Sequence, residues 1–350
     1  MFIEVKTPFG SIKFEYTIST PRSTVADAID PSLPVVLWFH PLAFPYVFQP
    51  QFADPLLRKF NLVVFSFRSH GDTEADELPE GYGINEATQD VLVFMDSLKL
   101  PPSHFVAMDY GSPIALNIAI SHPNRVQSLF IMSHTCLEEP SDVREGYQQL
   151  YDSWCSSVLG PTEFDLERMM ETGYGFAQFM FSNKVSALGQ AMSDVSFPLA
   201  QKNWGFHGLT NYRIGFLEFL LNRKSQPIEA LSCIRCPVKL VYGTDDIAYS
   251  QQYTEDFLQD LRQAGINASL YIIPGAPHFV SVDFADKLNP VLHDFIMQSE
   301  HRAVPLVLND IVSPWDEKFR NVGWDPEGRD VDSDDDWIIS YPKQDMIPMN

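Results

Sequence analysis

The chain has 350 residues, 45% of them hydrophobic and 20% charged, which suits one large globular domain or two ordinary ones and excludes a disordered chain. Lys and Arg number 24 against 46 Asp and Glu, a formal charge of -22. That balance argues against partners that need a basic surface, namely nucleic acid and anionic lipid.

The opening residues MFIEVKTPFG lack the basic start and apolar run of a signal peptide. No apolar stretch is long enough to span a bilayer. Four cysteines, Cys136, Cys155, Cys233 and Cys236, are too few for a disulfide scaffold and fit a reducing compartment, so a cytoplasmic location is expected. Cys233 and Cys236 form a lone Cys-x-x-Cys just before a predicted strand. Without a second close pair, they are read as structural.

In chain order, Phe2 to Val5 and Ile12 to Thr17 alternate like two strands joined by a Pro-Phe-Gly turn. Pro34 to His40 and Leu62 to Phe67 are continuous apolar runs, as expected of strands buried on both faces. Glu86 to Leu98 has helical spacing. Phe105 to Met108 is a short strand that turns tightly into a helix over Pro113 to Ser121, followed by a strand at Ser128 to Met132. From about Leu137 to Leu231 no strand is evident; the pattern is helical and rich in Phe, Tyr, Trp and Met. Strands resume at Val238 to Tyr242 and Ala268 to Ile273, with helices over about Gln251 to Ala264 and Phe284 to Met297.

This alternation predicts an α/β fold with a mostly parallel sheet. The helical stretch, inserted after the sixth strand, is expected to cover the sheet's C-terminal edge, where ligands bind in such folds. An extra layer of core helices would leave a similar pattern. The expected division is residues 1–136 and 232–300 for the two parts of the core, 137–231 for the helical insertion, and 301–350 for an acidic, flexible tail that contains the run at 330–336.

The strongest local signal is Ala107-Met108-Asp109-Tyr110-Gly111-Ser112, between a strand and a helix. Small residues on both sides of a sharp turn are what a nucleophile elbow needs, and Asp109 occupies the nucleophile position. The following helix brings its N-terminal amides to that point. Tyr242-Gly243-Thr244-Asp245-Asp246 places a carboxylate after a later strand, and Gly275-Ala276-Pro277-His278 places a histidine after the last one. The order nucleophile, acid, histidine is that of a hydrolytic triad, in which the acid fixes the histidine tautomer.

With these residues in view, the chain resembles the α/β-hydrolases with a helical cap, over about residues 1 to 300. His40 matches the family's His-Gly, and Arg68-Ser69-His70-Gly71-Asp72 resembles its Arg-Gly-His-Gly. The stretch from Gly81 to His104 is also similar to an uncharacterised group of fungal members, whose elbow usually carries Ser. An Asp elbow resembles the epoxide hydrolases and haloalkane dehalogenases. A carboxylate is already ionised at neutral pH; attack on an ester carbonyl would give a poor mixed anhydride, whereas attack on saturated carbon gives an ordinary ester. The resemblance implies that Asp109 forms an alkyl-enzyme ester which water activated by His278, oriented by Asp246, hydrolyses.

Pro41 stands where the family has Gly and has no N–H, so the oxyanion donors implied are the amides of Leu42 and Tyr110. Dehalogenases commonly place Trp after the Asp and a second halide-binding Asn or Trp. Tyr110 and Leu42 do not reproduce that pair, so an epoxide hydrolase is the nearer match. Its leaving alkoxide needs an acid, typically a cap tyrosine: Tyr147, Tyr151, Tyr174 and Tyr212 are candidates, and His40 is a further substrate-facing candidate. His134 and His207 could approach the site but read as structural. A lipophilic small molecule is the expected substrate. Two alternatives stand beside this reading. One is a cyclase, lyase or isomerase of a small-molecule pathway, using Asp109 and His278 as proton shuttles; the other is a non-catalytic binding member. No metal-ligand spacing and no phosphate-cradling loop is evident, so no cofactor is expected.

Overall fold

The computed structural model describes residues 1–300, 302–305 and 311–325. Its centre is one sheet with the order β1-β2-β4-β3-β6-β7-β8-β9. The strands are β1 (Phe2–Thr7), β2 (Gly10–Ser19), β3 (Val35–Phe39), β4 (Asn61–Phe65), β5 (Glu74–Ala75), β6 (Ser103–Asp109), β7 (Val126–His134), β8 (Val238–Gly243) and β9 (Ala268–Ile273). From β4 to β9 all pairings are parallel; β2 joins antiparallel to β1 and β4. The two residues of β5 pair antiparallel with β2. They are too few to leave a pattern, so the helical insertion follows six sequence-legible strands but seven observed ones.

The unbroken apolar runs have a direct cause. Side chains alternate across a strand, and both faces of this sheet are covered. Val35, Leu37 and Phe39 of β3 enter one core, with Phe105 and Ala107 of β6. Val36 and Trp38 enter the other, with Val106 and Met108. The helices Ile84–Ser97, Gly111–Ser121 and Gln251–Gln263 cover the first face; Ala285–Ser299 covers the second.

The stretch between β7 and β8 is helical, with long helices at Ser141–Ser157, Leu166–Phe181 and Ala187–Trp204. A wide-turn segment at Arg213–Glu218 lies within the shorter helical pieces that follow. No helix among the described residues is long and apolar enough to cross a membrane.

The expectation of a flexible tail from residue 301 fails for part of it. Trp315 is buried against Phe52, with ring centroids 4.8 Å apart, and Arg58 donates to the Val312 carbonyl at 3.0 Å. A short helix, Asp316–Asn321, follows. The cause is tertiary: aromatic burial against the second core outweighs the acidic local composition. The acidic run at 330–336 lies outside the described residues.

Candidate active site

The chain leaves β3 toward β4 on one side, whereas β6 to β9 extend to the other. The adjacent C-terminal ends of β3 and β6 are thus the switch point at which ligands bind in open α/β sheets. Leu42 follows β3 and Asp109 ends β6.

Asp109 has φ of 44°, the left-handed region that most side chains avoid. The turn is possible because Gly111 lets the helix start against β3: a Cβ there would lie 2.7 Å from the Phe39 carbonyl oxygen. Two hydroxyls secure the Asp109 carbonyl, Ser112 Oγ at 2.6 Å and Thr135 Oγ1 at 3.0 Å. Next to it β7 carries a bulge, with Asp109 opposite His134 and Met108 opposite Met132. The extra residue, Ser133, also has positive φ, and its hydroxyl donates to the His278 carbonyl. Bulges of this kind re-aim side chains at a sheet's edge.

The Leu42 N–H donates to Asp109 Oδ2 at 3.2 Å. His278 Nε2 stands 3.7 Å from Asp109 Oδ1, and its Nδ1 is 2.7 Å from Asp246 Oδ2. Asp246 Oδ1 accepts from the amides of Ala248 at 2.9 Å and Tyr249 at 3.0 Å. The loops after β8 and β9 meet closely here: a Cβ on Gly243 would lie 2.3 Å from the Ala276 carbonyl oxygen. Burial alone would lower the His278 pKa, but Asp246 and Asp109 outweigh it and hold it up at about 10. The imidazole lies between two carboxylates, which favour its protonated form.

The structure thus brings together Asp109, Asp246, His278 and Leu42. Tyr110 follows Asp109 directly, at the start of Gly111–Ser121, with its ring stacked on Phe219 at 4.2 Å. His40 is not substrate-facing. Its Nε2 accepts from the Phe67 amide at 3.1 Å, so its Nδ1 carries the proton and donates to the Pro41 carbonyl at 2.6 Å. Both nitrogens are consumed in holding the loop after β3 to the chain after β4.

The candidate tyrosines separate. Tyr147 is buried, and burial first, then the charges of Asp109 and Glu139, raises its pKa well above the usual range. Tyr212 lines a cavity beside the site; Tyr151 is stacked behind it at 5.3 Å. Tyr174 is 42% exposed and His207 is also exposed, whereas Asp109 and His278 are buried. His134 is packed flat on Tyr253 at 4.9 Å.

That cavity is walled by Leu42, Phe44, Trp154, Phe197, Trp204 and Tyr212, among others. Leu42 belongs both to it and to the cradle of Asp109. Two of its hydroxyls are tied back to their own helices: Ser193 donates to the Gly189 carbonyl at 3.0 Å, and Thr172 is held at 3.0 Å from the Arg168 carbonyl. The wall is effectively apolar.

Sequence reasoning did not find the polar group behind His278. Tyr249 lies against the imidazole, ring centroids 5.2 Å apart, and its hydroxyl donates to Glu139 at 2.5 Å. Glu139 is paired with Arg223. Only the closeness of Tyr249 to Asp246 in the chain hinted at it. No group of three or more His, Cys, Asp or Glu among the described residues is arranged to hold a metal ion.

Comparison with known proteins agrees with this architecture. A protein named epoxide hydrolase 1 from Siraitia grosvenorii is 22% identical over 312 residues, covering 81% of this chain and 97% of that one. A Caenorhabditis elegans protein of the same name is 21% identical over 257 residues, covering 70% of this chain and 59% of that one. Among solved structures, a thermophilic esterase from Thermogutta terrifontis superposes with a TM-score of 0.63 at 13% identity, over 86% of this chain and all of that one. The family model described as the alpha/beta hydrolase fold matches residues 34–285, and the chain belongs to that family.

Proposed function

We propose that this protein is a hydrolase of the epoxide-hydrolase type, acting on a lipophilic epoxide through an ester on Asp109. One observation carries the reading. The Asp109 carboxylate is divided between two partners, Oδ2 on the Leu42 N–H and Oδ1 toward His278. The names of the curated relatives support the same class.

In the first step Asp109 Oδ1 attacks an epoxide carbon from behind, the carbon–oxygen bond of the ring breaks, and the alkoxide takes a proton. Displacement with inversion places that proton donor opposite Asp109, on the side of the helical segment 137–231, which we read as a cap. Tyr147 is the donor assigned here. Between the steps His278 releases its proton and the Tyr147 phenolate regains one, so that in the second step the neutral imidazole takes a proton from water, and the resulting hydroxide attacks the Asp109 carboxyl carbon. The oxyanion forms on Oδ2, where Leu42 N–H already points. Collapse releases a diol and restores the carboxylate.

The charge arrangement favours this order. Esterification neutralises Asp109 and so removes one of the two groups that raise the His278 pKa. The imidazole becomes a better base at the moment one is required. The apolar cavity wall fits a lipophilic substrate.

A second reading, proton shuttling without an ester, draws on the near-complete burial of Asp109 and His278, which restricts water. Isotope labelling separates the two. In water enriched in oxygen-18, a single turnover with excess enzyme is expected to label Asp109, and later turnovers the diol. An unlabelled Asp109 with product labelled in the first turnover would sink the ester mechanism; product still unlabelled after many turnovers, with Asp109 unlabelled, would favour the shuttle.

A further inference from the structure

The helical segment is joined to the sheet by two stretches of chain, one leaving β7 and one returning toward β8. Glu139 lies on the first, just before Ser141–Ser157. Arg223 lies on the second, just after Phe219–Leu221. Their side chains form an ion pair and are 0% and 1% exposed. Arg223 also donates to the Leu137 carbonyl at 2.9 Å and the Leu220 carbonyl at 3.2 Å, so a single guanidinium spans both stretches. Tyr253 adds a bond to the Leu137 carbonyl at 3.0 Å, and the Glu138 amide donates to Ser225 at 3.0 Å. The neck of the insertion is closed by polar bonds.

A buried ion pair is a poor means of adding stability, because desolvation offsets its attraction and an apolar pair of similar volume often does as well. What it provides here is a fixed point for a third group. Glu139 uses its other oxygen to accept from the Tyr249 hydroxyl at 2.5 Å. The Tyr249 backbone is held at its own end by Asp246, at 3.0 Å. The ring between these anchors lies nearly parallel to the His278 imidazole, at 29°. Tyr249 is therefore pinned at both ends, and its face limits how far the imidazole can tilt.

We infer that Glu139, Arg223 and Tyr249 form a clasp that ties the neck of the helical segment to His278, with Tyr249 a positioning residue for the step in which that histidine activates water. Nothing in this role touches the reacting atoms. It rests on the ester mechanism proposed above for its kinetic consequence, but not for its geometric one.

The test uses two variants of the full chain. Tyr249→Phe keeps the ring and cuts its bond to the clasp. The double variant Glu139→Leu, Arg223→Met removes both charges together with the acceptor of the Tyr249 hydroxyl and leaves no buried ion unpaired, so it guards against simple failure to fold. Turnover on a lipophilic epoxide such as styrene oxide is quenched with acid, and the fraction of chain carrying the adduct is read by intact mass. Both variants are expected to lower kcat about tenfold and to raise the adduct fraction; in the double variant, which leaves the Tyr249 hydroxyl 3.3 Å from that of Tyr147, KM falls in step and kcat/KM is held within about twofold. A merely structural role would lower kcat and leave KM and the adduct fraction unchanged, and that result overturns the clasp.

His278→Ala is the control for the mechanism itself. If it yields no adduct on Asp109, the ester reading fails, and the clasp is then judged by proton NMR alone. The His278–Asp246 bond should give a low-field proton signal, assigned by its loss in Asp246→Asn. Broadening of that signal in both clasp variants supports the inference; a signal as sharp as in the parent chain refutes it.

Discussion

At the scale of single residues, what was legible was local. An elbow needs small residues within two positions of Asp109, and a carboxylate or histidine at a strand end is marked by the turn that carries it. Asp109, Asp246, His278 and the Leu42 amide could be named because each depends on backbone shape that a few neighbours dictate. Tyr249 and Glu139 stand 110 positions apart, and no local pattern relates them. His40 was misjudged for a similar reason: its resemblance to a family motif says where the loop lies, and only the positions of Phe67 and Pro41 show that its ring is fully occupied.

A prediction belongs to His278. Its pKa is raised on folding from the ordinary 6.5 to about 10, because two carboxylates outweigh burial. A group raised in this way binds a proton on folding. Its contribution to stability is full below the unfolded pKa and is lost as pH rises through the folded one. Replacing Asp109→Asn removes one of the two carboxylates, so the folded pKa falls and the loss begins at lower pH. Urea midpoints compared between about pH 6 and pH 10.5 check this, with the difference between parent and variant cancelling other titrations. Parallel curves for the two chains would show that Asp109 does not act on the imidazole.

At the scale of elements, the parallel strands were the clearest feature, since burial on both faces removes polar interruptions from β3, β4, β6 and β7. Short elements were not. A two-residue strand and a six-residue helix contain too few side chains for a period to repeat. The helix Asp316–Asn321 was lost in this way, although the tryptophan beside it was visible. Trp315 packs on Tyr46 at 5.6 Å and Phe52 at 4.8 Å, while Gln49 donates to Asp316 at 2.6 Å. Residues 311–325 therefore form part of the fold. Trp315→Ala is expected to cost about 3 kcal/mol, toward the lower end for a buried tryptophan because it lies at the margin of the core. Equilibrium denaturation measures it. A loss under about 0.5 kcal/mol, the size of an ordinary surface change, would mean that the segment does not pack here in solution.

At the scale of the whole molecule, the formal charge of -22 and the apolar cavity point the same way. Charge acts before contact: a strongly acidic protein repels anionic ligands over roughly a Debye length, about 10 Å at 0.1 M salt. The cavity acts after contact, since its wall is mostly apolar side chains and no charged side chain lines it. An epoxide bearing a carboxylate would thus meet an unfavourable field and then a wall with no cation to pair it. A neutral epoxide of equal size meets neither obstacle. The two contributions differ in their response to salt. Screening weakens the long-range repulsion, whereas the missing partner inside is insensitive to it. For a matched pair of substrates, kcat/KM for the anionic one should be at least about tenfold lower at low ionic strength, and the gap should narrow but not close as salt is raised. A gap that does not respond to salt would place all discrimination in the cavity. A gap that vanishes would place it in the field, and an anionic substrate that is preferred would show that a cation outside the described wall receives it.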